Sequence, residues 1–210
     1  MILYHALLRC GYRPFMRTLF RMEIGGAERI PATGPCILVA NHESIVDPYI
    51  LGVATGRPIH FMAKQELWRN GLTRQLMEGF GAFPVERGTG DNMAMGHAGR
   101  LLARGEVLGI FPQGTCLPRR RRPYLRGAAR LALATGSPLV PVCIVGTERL
   151  VRPHKTKLGL PKLRVLVGRP FDVARQRPTL VAARRLMGHV EEAIADLRRP
   201  YGEPQHAWID

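Results

Sequence analysis

The feature that most constrains this chain is an apolar run, Ile37-Leu38-Val39-Ala40, that stops abruptly at Asn41-His42-Glu43-Ser44 and reaches Asp47-Pro48 three residues later. Such a run has the length and β-branched content of a strand buried on both faces, and Pro35 keeps the segment before it from being helical. A buried strand that ends in ionisable residues delivers chemistry to the edge of a sheet. His42 and Asp47 are five positions apart, which on a regular helix would turn them about 140° away from each other. They meet only if a turn lies between them. Pro48 favours that turn: it biases Asp47 towards extended backbone and suits the first position of a helix over residues 49–53, with Asp47 as the expected N-cap. A carboxylate so placed would fix the tautomer of the imidazole while His42 takes a proton from a hydroxyl. The competing reading is a hydrogen-bonded loop histidine beside an ordinary helix cap.

A second apolar run, residues 107–111, also ends in a polar motif, Phe111-Pro112-Gln113-Gly114-Thr115. With it the chain resembles the glycerolipid acyltransferases of the lysophosphatidate acyltransferase type, whose four blocks have counterparts here in order. These are Asn41, His42 and Asp47; Gly81, Phe83, Val85 and Arg87; Phe111, Pro112, Gly114 and Thr115; and Pro141 with Val142. One block alone is weak, but four in order over roughly residues 25–170 are specific. In the second block Phe83 follows Gly81 by two positions rather than three, so that block aligns on Arg87, and two further positions depart from the pattern. Gln113 stands where the family usually has Glu, keeping the shape and one acceptor but losing the charge. Cys116 stands where many members have Arg, and cannot hold a phosphate as Arg does.

The resemblance implies transfer of a fatty acyl group from acyl-CoA or acyl-carrier protein to the free hydroxyl of a lysophospholipid, most simply lysophosphatidate giving phosphatidate. His42 is then the general base and Asp47 its orienter. Arg87, with Arg119, Arg120 and Arg126, grips the acceptor phosphate; Asn41, Gln113, Gly114 and Thr115 complete the substrate-binding set. The backbone of Gly114 and Thr115 is expected to help polarise the thioester carbonyl. Direct attack by the acceptor needs no acyl-enzyme, and no serine sits in a nucleophile elbow. A thiolate at Cys116 would need a base beside it, and the residues that follow are Leu117, Pro118 and arginines. No cofactor is expected beyond the acyl-CoA or acyl-carrier co-substrate, and the histidines show no metal-ligand spacing. The rival readings are an acyltransferase with another acceptor (glycerol-3-phosphate, a lyso-amino-acid lipid or a glycolipid) and a non-catalytic member that binds anionic lipid.

Charge agrees with an anionic partner: 31 Lys and Arg against 16 Asp and Glu give a formal net charge of +15. Aromatics are only 7% of residues and do not alternate with basic ones, which sets nucleic acid aside. The four cysteines are scattered without metal-ligand spacing, as expected of a reduced environment. In residues 1–22, His5, Arg9, Arg13, Arg17 and Arg21 recur every four positions beside leucines and phenylalanines, with Pro14 expected to break or kink the helix. That segment, residues 1–24, is expected to lie on an anionic membrane surface, peripheral to the cytoplasmic side of the cell membrane, since no run is long enough to span it. The resemblance implies that residues 25–210 form the acyltransferase domain. The expected fold is α/β: one domain with a central mixed, largely parallel sheet flanked by helices. Strands are expected over residues 58–62, 81–87, 139–145 and 163–167, with Pro141 at a sheet edge or bulge. A long amphipathic helix over 179–197 should bury Leu180, Leu186, Val190 and Ile194.

Overall fold

The computed structural model describes residues 11–85, 92–114, 116, 123–150 and 160–202. Seven strands, β1 (Glu23–Gly25), β2 (Cys36–Ala40), β3 (Ile59–Lys64), β4 (Ala82–Val85), β5 (Val107–Ile110), β6 (Leu139–Val145) and β7 (Arg164–Val167), form one sheet in the order β1-β7-β6-β2-β5-β3-β4. Only the β6–β7 pairing is antiparallel. Six α-helices accompany it among the described residues: α1 (Tyr12–Leu19), α2 (Asp47–Ala54), α3 (Gly71–Gly79), α4 (Asn92–Ala103), α5 (Gly127–Thr135) and α6 (Leu180–Arg198). This is the single-domain, largely parallel α/β fold expected.

The sheet is covered on both faces, and β2 shows how. Ile37 and Val39 join a core with α4, α5 and α6, while Cys36, Leu38 and Ala40 join a second core with α1 and α2. Alternate side chains of one strand thus feed opposite layers, which is why its sequence is apolar throughout rather than alternating. Because β2, β5 and β6 run in parallel side by side, their carboxyl ends open at one edge, the place where open α/β sheets bind ligands.

Several local expectations are revised. Pro14 lies in the first turn of α1, where amides have no intrahelical partner, and does not interrupt that helix; the expected stretch before it, residues 1–10, falls outside the described residues. Tyr12, Met16 and Phe20 of this segment pack on the core, and Phe15 and Leu19 face outward. The segment ends in β1, a strand too short and glycine-bounded to show a pattern, paired with β7. Pro141 sits in an interior strand, but at a bulge: between the Val142↔Val167 and Leu139↔Phe171 pairings, Val140 and Pro141 face three residues, 168–170. Gly168 makes room there, since a Cβ would come within 2.8 Å of the Pro141 ring. The last helix starts at Leu180, capped by the Thr179 hydroxyl, so Leu180 is exposed and Ala183, Met187, Val190 and Ile194 form the buried stripe.

Candidate active site

The site is built where β2 leaves the sheet. The last backbone pair is Ala40 with Val142 of β6. Asn41 then prolongs the pairing through its side chain: Oδ1 accepts from the Ile144 N–H at 2.7 Å, and Nδ2 donates to the Ile144 carbonyl at 2.8 Å. Asn41 is 3% exposed, and its amide pins the exit of the chain.

One residue on, the imidazole of His42 meets the carboxylate of Asp47, Nδ1 to Oδ2, at 2.9 Å. The same Oδ2 accepts from the backbone N–H groups of Glu43 and Ser44, both at 2.7 Å. Asp47 is therefore not the N-cap expected. Val46 holds that position, Asp47 begins α2, and Pro48 occupies the first turn. Its carboxylate, fully buried, ties the turn between the two catalytic candidates and holds the ring on one tautomer through Nδ1.

The β5 loop supplies the walls. The Phe111 ring stacks on His42 with centroids 4.3 Å apart, and Phe61 of β3 stacks in turn on Phe111 at 6.0 Å. Gly109 permits this stack, because a Cβ there would approach the Phe61 ring to 2.4 Å. The Gln113 carbonyl oxygen accepts the backbone N–H of His42. Gln113 thus works as a neutral acceptor that fixes the His42 backbone, a task that does not need the charge of Glu. Gly114 adopts φ +73°, and its N–H is donated to the Phe111 carbonyl at 3.1 Å. That amide closes the turn, so it is not the free donor expected to polarise a thioester carbonyl.

Cys116 reaches the His42 imidazole from the same loop. Burial is the largest influence on His42 and pulls its pKa down, but hydrogen bonds and negative charge from Asp47 and Cys116 outweigh it and raise it to about 9. The sequence offered no signal for this contact, since residues 42 and 116 are joined only by the β2–β5 pairing. Cys36 and Cys143 are buried, which pushes their thiols up to about 11 and 12. Arg126 lies exposed at the start of α5. Arg87, Thr115, Arg119 and Arg120 fall outside the described residues. Glu43, unremarked in the sequence, is buried beside Asn41, 3.4 Å from its amide nitrogen.

A family model described as "Acyltransferase" matches residues 21–145, which include both strand ends of this site. The chain belongs to the acyltransferase family. Among relatives of this acyltransferase, the 1-acyl-sn-glycerol-3-phosphate acyltransferase of Bacillus subtilis is 30% identical over 154 residues, covering 73% of this chain and 75% of that one. The chloroplastic 1-acyl-sn-glycerol-3-phosphate acyltransferase BAT2 of Brassica napus is 29% identical over 142 residues, covering 66% of this acyltransferase and 40% of its own length. The crystal structure of the 1-acyl-sn-glycerophosphate acyltransferase PlsC of Thermotoga maritima superposes with a TM-score of 0.71, covering 97% of this chain and 80% of that one. At 23% sequence identity, that likeness shows that the two share a fold.

Proposed function

We propose that this acyltransferase moves a fatty acyl group from acyl-CoA or acyl-carrier protein to the free hydroxyl of 1-acyl-sn-glycerol-3-phosphate, giving phosphatidate. The observation that carries the reading is the 2.9 Å contact between His42 and Asp47 beside the Phe111 to Cys116 loop, in a chain whose relatives are named for this reaction. The imidazole takes the proton of the acceptor hydroxyl as its oxygen attacks the thioester carbonyl; the C–S bond then breaks, and the imidazolium returns the proton to the leaving thiolate. Asp47 stabilises the imidazolium throughout. No acyl-enzyme intervenes. Arg87, on its motif position, and Arg119, Arg120 and Arg126, which follow the third motif, are assigned to the acceptor phosphate, and Thr115 to the turn beside the thioester.

The enzyme works from the surface of an anionic membrane, on its cytoplasmic side. Phe15 and Leu19 project outward from α1 beside Arg17 and Arg21, and no helix among the described residues is long and apolar enough to cross a bilayer. Cys116, where many relatives resembling this pattern carry Arg, favours a second reading with another acceptor headgroup.

Mass spectrometry of the lipids made from one labelled acyl-CoA and a mixture of lysophosphatidate, glycerol-3-phosphate, lyso-amino-acid lipid and lysoglycolipid tests both. Labelled phosphatidate, absent with the His42→Ala protein, is expected. A different labelled product would move the assignment to that acceptor, and no acyl product from any acceptor would overturn it.

A further inference from the structure

A cavity of about 330 Å³ opens where β6 ends and β7 begins. Its wall carries Arg149, Lys162 and Arg164, its floor carries Glu148, and Tyr201 closes one side. The charges do not balance. Glu23 is shared by Lys162 and by Arg164, the latter at 2.7 Å. Glu148 lies 3.9 Å from both Arg149 and Arg198. Among the described residues three cationic side chains, Arg149, Lys162 and Arg164, line the cavity with one carboxylate, Glu148, and a single further carboxylate, Glu23, is shared by two of them.

The cavity is also fixed in shape. Glu148 is 5% exposed on its side chain and accepts the Gly146 N–H at 3.0 Å, so it is spent on the wall. The Arg164 guanidinium lies 4.7 Å from the centre of the Tyr201 ring. Arg198, 11% exposed, donates to the carbonyls of Ile144 at 3.2 Å and Gly202 at 3.1 Å. A cavity with more cationic than anionic groups among the described residues attracts an anion, and guanidinium and ammonium donors suit the oxygens of a phosphate ester.

Its place relative to the base identifies which phosphate. Ile144, which Arg198 holds from one side, is the residue that Asn41 clamps immediately before His42. The cavity, lined by the end of β6 and the start of β7, therefore lies on the β6 and β7 flank of β2. The Phe111 to Cys116 loop closes on His42 from the β5 flank, the side to which the motif assigns the acceptor phosphate. Two substrates that react at one imidazole approach it from different sides. We propose that the cavity binds the phosphate end of the pantetheine arm that carries the acyl group, a chemistry shared by acyl-CoA and acyl-carrier protein. This rests on the thioester donor of the proposed function.

The test uses Arg149→Ala, Lys162→Ala and the double variant, both side chains being at least 40% exposed and so removable without opening the core. Each is assayed with an acyl-CoA and with the matching acyl-pantetheine, which lacks the phosphate, while CoA binding is followed by calorimetry. For the double variant the KM for acyl-CoA and the Kd for CoA are expected to rise about tenfold or more, the effect of losing charge-assisted hydrogen bonds. The KM values for acyl-pantetheine and for the acceptor stay within about twofold on the same reasoning. Unchanged values for CoA overturn the proposal, and so does a rise confined to the acceptor. Should the protein transfer no acyl group at all, weakened CoA binding in the variants would still support the cavity while the proposed function failed separately.

Discussion

The exits of β2 and β6 lie side by side at one edge of the sheet and are built in opposite ways. The β2 exit is sealed: Asp47 is buried, and three hydrogen bonds converge on its Oδ2 within six residues of chain. The β6 exit is open, lined by long cationic side chains whose ends reach solvent. A general base gains from rigid placement near the proton it removes, whereas a site for a charged, exchangeable substrate gains from access. The difference predicts that substitutions at the first exit act on turnover and those at the second on substrate affinity.

The largest effect is expected at the sealed exit. His42→Ala should lower kcat by about a hundredfold or more, the range of a positioned base, with KM nearly unchanged. Asp47→Ala should match it and also lose stability, because the Glu43 and Ser44 amides lose their acceptor, at about 1 to 3 kcal/mol for each buried group left unpaired. Steady-state kinetics together with thermal melting separates the two. A folded His42→Ala protein with wild-type turnover would dissolve the contrast between the exits.

Next comes the pH dependence. The base must be neutral to accept a proton, and His42 titrates at about 9 against an ordinary value of 6.5. Turnover should therefore rise about tenfold per pH unit below that value and level off near it. Cys116→Ala removes one of the two groups that favour the imidazolium, so its midpoint should move to lower pH, with more activity near neutrality than the wild type. The stability that His42 contributes has the opposite sign. Its folded pKa is raised, so that contribution is complete below about 6.5 and is lost as pH rises through about 9. A pH-rate profile of both proteins decides the matter, and an identical midpoint would remove Cys116 from the base's surroundings.

Away from both exits, Phe15→Asp on α1 should weaken binding to vesicles of anionic phospholipid about tenfold, as expected for one large apolar side chain withdrawn from the membrane interface. Its melting temperature should not move, since the inward residues Tyr12 and Met16 remain. Equal sedimentation of variant and wild type with vesicles would leave α1 as packing alone.

The strand ends were legible in the sequence because a buried strand writes a continuous apolar run, and residues 37–40 and 107–111 are such runs bounded by polar motifs. The pairing of His42 with Asp47 was legible too, because Pro48 and the five-residue separation leave a turn as the geometry that joins them. What the sequence hid depends on contacts between distant segments. Pro141 left a sheet edge and a bulge equally open until residues 168–170 were seen opposite it. The cavity gathers residues 146–149, 162–164 and 201 from three elements, with no local pattern to announce it. The charge of the family's Glu at 113 looked important only because an acceptor and a charge cannot be told apart in a sequence.

Gln113 provides the smallest and sharpest test of how the sealed exit works. Its Oε1 accepts the His42 N–H, a task that either an amide or a carboxylate can perform. Gln113→Glu should therefore keep kcat within about threefold of the wild type, because the hydrogen bond survives. Gln113→Leu deletes the acceptor at nearly the same volume and leaves the His42 amide unpaired, which should cost about 1 to 2 kcal/mol of positioning and close to tenfold in kcat. The ratio of the two variants isolates the hydrogen bond from the charge. Equal turnover in Gln113→Glu and Gln113→Leu would mean that the β2 exit holds His42 without help from the β5 loop, through Asn41 and Asp47 alone.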